Sequence, residues 1–222
     1  MKGKFIAFEG VDGCGKTTLI EGLRKHLVGD GYEVTVVSEL SGDNPLGSAV
    51  RPFIVTNDTD GLTKLLAIYA ARRESLEKVV APALAKGHVV LYDRFSDSTM
   101  AYQYDTIVNL PAGARAAIDV IHNDTLRIAR PDMGILLHCD AREAARRIGN
   151  RGGPRDEFDT LDHITKHAMH YLQMGRNPSD RLGGVESPHS WCRMYIGQPT
   201  ECSEEVSKRD VLQQAIRLLQ RL

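Results

Sequence analysis

The chain has 222 residues, with 28 Lys plus Arg against 29 Asp plus Glu and a formal net charge of −1. That length suits one sizeable α/β domain, and the near-zero charge excludes a general attraction to polymeric nucleic acid or to an anionic membrane, so any anion must be met locally. No apolar run approaches the roughly 20 residues that cross a bilayer. Charge and glycine interrupt "MKGKFIAFEG", so a signal peptide is not expected and a cytoplasmic location is. Cys14, Cys139, Cys192 and Cys202 form no CxxC pair, and reduced thiols are expected rather than a disulfide framework or zinc ribbon.

In chain order, "KFIAFEG", "YEVTVVSE", "HVVLYDR" and "MGILLHCD" are apolar runs of buried-strand length bounded by turn residues. Helical patterns lie between them. "KTTLIEGLRKHLVGDG" places Leu19, Ile20, Leu23 and Leu27 on one stripe and stops at Gly29 and Gly31. "GLTKLLAIYAARRESLEKVVAPALAKG" reads as one long helical region with a break or kink at Pro82. "RDVLQQAIRLLQRL" reads as a final amphipathic helix. Alternation of strand and helix predicts a parallel sheet covered by helices on both faces. From Asn150 to about Pro199 the chain is rich in Gly, Pro, Ser and Arg, with a modest helical pattern around "TLDHITKHAMHYLQM". Such a stretch is expected to be a mobile functional loop, and Arg146, Arg147, Arg151 and Arg155 gather at its start.

"FEGVDGCGKTTL" carries chemistry. Gly10, Gly15, Lys16 and Thr17 satisfy G-x-x-x-x-G-K-[ST], after a predicted strand and at the mouth of a predicted helix. Backbone N–H groups of such a turn, with the positive end of the helix dipole, favour a phosphate chain. Gly10, Gly13 and Gly15 permit the close approach, Lys16 reaches the β/γ-phosphates, and Thr17, followed by Thr18, offers a hydroxyl to the Mg²⁺ that accompanies ATP. Asp93, at the end of a strand, is the expected acid on the metal side. The expectation is a three-layer P-loop fold, with a five-stranded parallel sheet and a mobile lid. One domain over 1–222 would contain that lid at about 146–160 and an irregular insertion at about 175–200.

Beyond the P-loop, "YAARRE", "DRFSDSTMAYQ" and "ARPDMGILLHCD" together resemble the thymidylate kinase family over nearly the whole chain. The second of these is similar along its length to the family's DR(Y/H)-x-x-S-x-x-AYQ segment. The resemblance implies transfer of the ATP γ-phosphoryl group to a deoxypyrimidine monophosphate, most simply dTMP, by a homodimer. It implies Asp12 near the acceptor sugar, Arg72 on the acceptor phosphate, Thr99 and Gln103 at the base, and Tyr102 crowding the sugar C2′. Planar guanidinium groups suit a phosphate, so Arg51, Arg72 and Arg94 are candidates to hold the acceptor, and Arg151 or Arg155 to stabilise the transition state.

Two departures stand out. "SEL", with Ser38 and Glu39, replaces the family's Arg-Glu-Pro, and Ile68 replaces a phenylalanine that stacks on thymine. Tyr69 is adjacent but turned about 100° around a helix. A kinase for another or modified deoxypyrimidine monophosphate is therefore a second reading, and a P-loop ATPase or switch module without an acceptor nucleotide a third. His163, His167 and His170 share a helix face, for which packing or solvation is expected over metal binding, and "SPHSWCRMYIGQPTEC" is expected to be a surface insertion.

Overall fold

In a computed structural model, the described residues are 3–41, 44–55, 59–151, 157–176, 191–195 and 208–219. The chain runs β1 (Lys4–Glu9), α1 (Lys16–Gly29), β2 (Val34–Ser38), α2 (Pro45–Ile54), α3 (Gly61–Ser75), α4 (Ala81–Ala85) and β3 (Val89–Asp93). It continues through α5 (Ser96–Tyr102), α6 (Tyr104–Asn109), α7 (Ala112–Ile128), β4 (Met133–His138), α8 (Ala141–Arg151), α9 (Leu161–Arg176), β5 (Trp191–Tyr195) and α10 (Lys208–Leu219).

The strands form one parallel sheet in the order β2-β3-β1-β4-β5. Side chains alternate across it, as the two-residue period of a strand requires. Ile6, Phe8, Val89 and Leu91 pack with Leu19 and Leu23 of α1 and Ala215 of α10 on one face. Phe5, Ala7, Val90 and Tyr92 pack with Leu76, Val80 and Leu126 on the other. A strand buried on both faces reads as a continuous apolar run, which is why β1 and β3 were legible.

The structure departs from the sequence expectation in two places. Trp191–Tyr195, expected within an irregular insertion, is a strand that pairs with β4 from Gly134↔Trp191 to His138↔Tyr195. An edge strand shields fewer residues, so its run "WCRMY" carries a charge and lacks the apolar signature of the central strands. Nor does the long helical region break at Pro82. A five-residue π segment, Leu76–Val80, joins α3 to α4, and Pro82 sits in the first turn of α4. A proline ring clashes with the carbonyl four residues before it, and the wider π turn gives that carbonyl room while the helix continues.

Candidate active site

The site lies at the C-terminal ends of β1 and β3, the central strands, where ligands gather in open parallel sheets. After β1 the chain turns through Gly10 at φ 133°, Gly13 at φ 77° and Gly15 at φ 101° before α1 begins at Lys16. At Gly13 a Cβ would fall 2.3 Å from the Ala144 carbonyl oxygen of α8, so glycine is needed for space as well as for backbone angle. The Lys16 ammonium, almost buried, donates to the Gly10 and Val11 carbonyls at 2.8 and 2.9 Å. Thr17 and Thr18 are exposed in the first turn.

Opposite this turn, β3 runs into α5 through Arg94, the one non-glycine residue at positive φ among those described, at 67°. Its backbone N–H donates to the Phe8 carbonyl at 2.9 Å, tying the turn to β1. Glu9, wholly buried at the end of β1, secures the next residues: its carboxylate accepts from the Phe95 N–H at 2.9 Å, the Asp97 N–H at 3.2 Å, the Ser98 hydroxyl and the Tyr171 hydroxyl. Held in this way, Arg94 donates Nη2 to Asp12 at 2.7 Å, and Tyr102 donates its hydroxyl to the other Asp12 oxygen at 3.1 Å. Burial opposes ionisation of Asp12, but the Arg94 guanidinium and then the Lys16 ammonium hold its carboxyl well below the usual carboxylate range. Burial likewise pushes the Tyr102 phenol up, so it remains a donor at neutral pH.

A cavity of about 370 Å³ opens between these elements, lined by Asp12, Ser38, Glu39, Arg51, Ile68, Asp93, Arg94, Thr99, Tyr102, Gln103 and Phe158, among others. Nearly all the acceptor-side residues singled out in the sequence therefore meet there. Arg72 does not. It is fully buried, donates Nε and Nη2 to Glu39 at 2.5 and 2.8 Å, and gives Nη2 also to Thr99 Oγ1 at 2.5 Å. Its charge is matched by Glu39, with only Nη1 lacking a hydrogen-bond partner. Arg72, which the resemblance implied for the acceptor phosphate, is engaged in an ion pair with Glu39 beneath Thr99. Glu39 lines the cavity but spends both oxygens on that pair, and burial pushes its carboxyl up against the pull of Arg72.

Several participants had no clear signal in the sequence. Asn44 clamps the departure at "SEL", donating to the Glu39 and Ala71 carbonyls at 2.9 and 3.0 Å while capping α2 at Gly47 N, 3.1 Å away. At Gly47 a Cβ would fall 1.9 Å from the Glu39 carbonyl oxygen. Phe158 is an aromatic wall of the cavity, 5.5 Å from the Tyr102 ring in a T-shaped contact. Tyr69, as its helical position implied, turns away and meets His122 Nδ1 at 3.1 Å.

On α8, Ala144 abuts the P-loop, and residues three and seven positions later share its face, which places Arg147 and Arg151 on the P-loop side. Arg147 and Arg146 both pair with Glu143 at 2.7 Å, and Arg151 is exposed. Arg155 lies outside the described residues, as do His189 and Cys202, and of the Cys192 side chain nothing is described. Among the described residues no cluster of three or more His, Cys, Asp or Glu is arranged to hold a metal ion. Cys14 and Cys139 are buried free thiols, and burial pushes the Cys139 thiol up to about 12.

A P-loop facing a cavity furnished with arginines and an acidic strand end narrows the possibilities to nucleotide chemistry, and comparison with known proteins narrows them further. A model of the thymidylate kinase family matches residues 8–182. The chain belongs to the thymidylate kinase family. Thymidylate kinases of Polaromonas sp. and Pelobacter propionicus are each 34% identical to it. The first alignment covers 98% of this chain and 96% of that relative, the second 83% and 89%. A thymidylate kinase of Magnetococcus marinus is 36% identical over 84% of this chain and 89% of its own. The crystal structure of thymidylate kinase from Ehrlichia chaffeensis shares the fold, with a TM-score of 0.66 at 24% identity over 99% of this chain and 100% of that one.

Proposed function

We infer that this family member is an ATP-dependent thymidylate kinase, moving the γ-phosphoryl group of ATP to dTMP to give dTDP and ADP. The carrying observation is that the Lys16 turn and the cavity holding Arg51 and Arg94 open at the same sheet edge, from adjacent strands. Phosphoryl transfer is mostly positioning and charge neutralisation, so cations on both reactants are the main requirement.

Lys16, Thr18 and the amides around Gly13 and Gly15 would hold the donor phosphates. Arg51 and Arg94 would hold the acceptor phosphate in the cavity of about 370 Å³ that both help to line. Asp12, fixed by Arg94 and Tyr102, would orient the sugar, while Thr99, Gln103 and Ile68 would meet the base. No general base is needed, because an acceptor phosphate oxygen is already anionic. The residues present fit a Mg²⁺ ion arriving with ATP: Asp93 Oδ1 is buried without a hydrogen-bond partner, and the Thr17 hydroxyl is exposed at the helix mouth. When bound there, the ion would neutralise charge on the transferring phosphates. Arg151 on the P-loop face of α8, with Arg155, would add transition-state charge as the lid segment closes and excludes water.

One observation favours the second reading. Ile68, not an aromatic, lines the cavity, and Phe158 supplies an aromatic from a different element. Turnover of dTMP, dUMP, 5-substituted dUMP, dCMP and dGMP separates the readings. Preference for dTMP is expected; preference for a different base overturns the first choice, and ATP hydrolysis indifferent to all of them leaves only the switch-module reading.

A further inference from the structure

The three histidines of α9 have no part in the scheme above, yet one of them touches it. His167 and His170 each turn Nδ1 to the Ala101 carbonyl, at 3.1 and 2.7 Å. A carbonyl only accepts, so each ring donates from Nδ1. Anchored there, the His167 ring lies almost parallel to that of Tyr102, with centroids 4.1 Å apart and an interplanar angle of 18°. A ring so close and so flat covers one face of the tyrosine. The Arg94 guanidinium also stands over this ring, its central carbon 4.9 Å from the ring centre. Phe158 and Tyr171 approach in T-shaped contacts at 5.5 and 6.5 Å.

We propose that His167 is a positioning residue of the acceptor site: its ring fixes the plane of Tyr102, hence the Asp12–Arg94 pair, and so sets how well the site rejects a 2′-hydroxyl. The inference rests on the acceptor reading above. A flat partner matters here because the Tyr102 hydroxyl must meet Asp12, 3.1 Å away, while its ring edge stays where the sugar passes. Rotation of the ring about its long axis would preserve the first and lose the second. Burial holds His167 down to about 4, so it is uncharged at neutral pH and brings no second cation to the ring that Arg94 covers. His170 shares the Ala101 carbonyl but packs on Tyr104, with centroids 4.6 Å apart, so it serves as a neighbour without this role.

The test compares full-length His167→Leu, His167→Phe and His170→Leu. Leucine fills similar volume without a plane; phenylalanine keeps the plane without the hydrogen bond. The preference for dTMP over the matching ribonucleotide, as a ratio of kcat/KM values, is expected to fall about tenfold in His167→Leu and to stay within about twofold of wild type in the other two. The KM for ATP should not move. A crystal structure of His167→Leu should show the Tyr102 ring rotated. An unchanged ratio in His167→Leu, equal losses in the Leu and Phe variants, a matching loss in His170→Leu, or an unmoved Tyr102 each overturns the proposal. Should the wild type prefer another acceptor, the functional reading fails instead, and the Tyr102 ring position in the variant structure still decides the role of His167.

Discussion

At the scale of single residues, the site is governed by groups that cannot be exchanged for near neighbours. Gly13 has φ 77° and a Cβ there would fall 2.3 Å from a helix carbonyl oxygen, so Gly13→Ala is expected to cost about 1–3 kcal/mol and to weaken ATP binding. Thermal unfolding and the KM for ATP check this together. Arg72 and Glu39 form a buried pair in which each needs the other. Removing the cation alone, in Arg72→Met, leaves a carboxylate stranded and should cost about 3–5 kcal/mol in urea denaturation, whereas pairing it with Glu39→Leu should recover much of the loss. His167 predicts a pH effect. Its folded pKa, about 4, lies below the ordinary value of 6.5, so the unfolded chain takes up the proton first. Its contribution is whole above 6.5 and is lost as pH falls toward 4; His167→Phe should flatten that part of the acid limb, measured as unfolding free energy against pH.

At the scale of elements, two connections matter most. The β3–α5 turn stores strain at Arg94, a non-glycine residue in the left-handed region, at a cost of about 1–2 kcal/mol. The Phe8 carbonyl and the Glu9 carboxylate offset it and aim the guanidinium into the cleft. This was only half legible. "DRFSDSTMAYQ" marked the residues, but nothing local says that Glu9, distant in sequence, organises them. The second connection is α8 against the P-loop. Because Ala144 makes the contact, the helical period assigns Arg147 and Arg151 to the same side, and Arg147 is held by Glu143. Alanine at both Arg151 and Arg155 is expected to lower kcat by about 10²–10³-fold with little change in KM, by the logic of a charge that acts only in the transition state; single-turnover kinetics decide, and unchanged turnover would refute the assignment.

At the scale of the whole molecule, no described helix is long and apolar enough to cross a membrane. Exposed apolar side chains lie on two packed helices, Leu66 on α3 and Val120 on α7. We propose that this side forms the homodimer, and Leu66→Glu with Val120→Glu should shift the mass found by light scattering from twice the chain mass toward the chain mass. Much of this architecture was readable in advance because its cause is local. Central strands buried on both faces are necessarily apolar runs, and a phosphate-binding turn needs glycines and a lysine at set spacing. The β5 edge was missed because a strand paired only with β4 among the described strands has no such constraint, and the π segment because propensity does not register the clash that Pro82 imposes one turn earlier.

The sequence by itself determined the central strand-and-helix alternation and the P-loop, since each follows from periodicity or from a motif whose spacing is its chemistry, while the acceptor-side residues were marked only by the family resemblance. Tertiary structure alone decided their partners. It buried Arg72 against Glu39, brought Phe158 into the cavity wall, and laid His167 on Tyr102. The reason is that charge matching and ring packing depend on distances between residues far apart in the chain, which neither propensity nor spacing encodes.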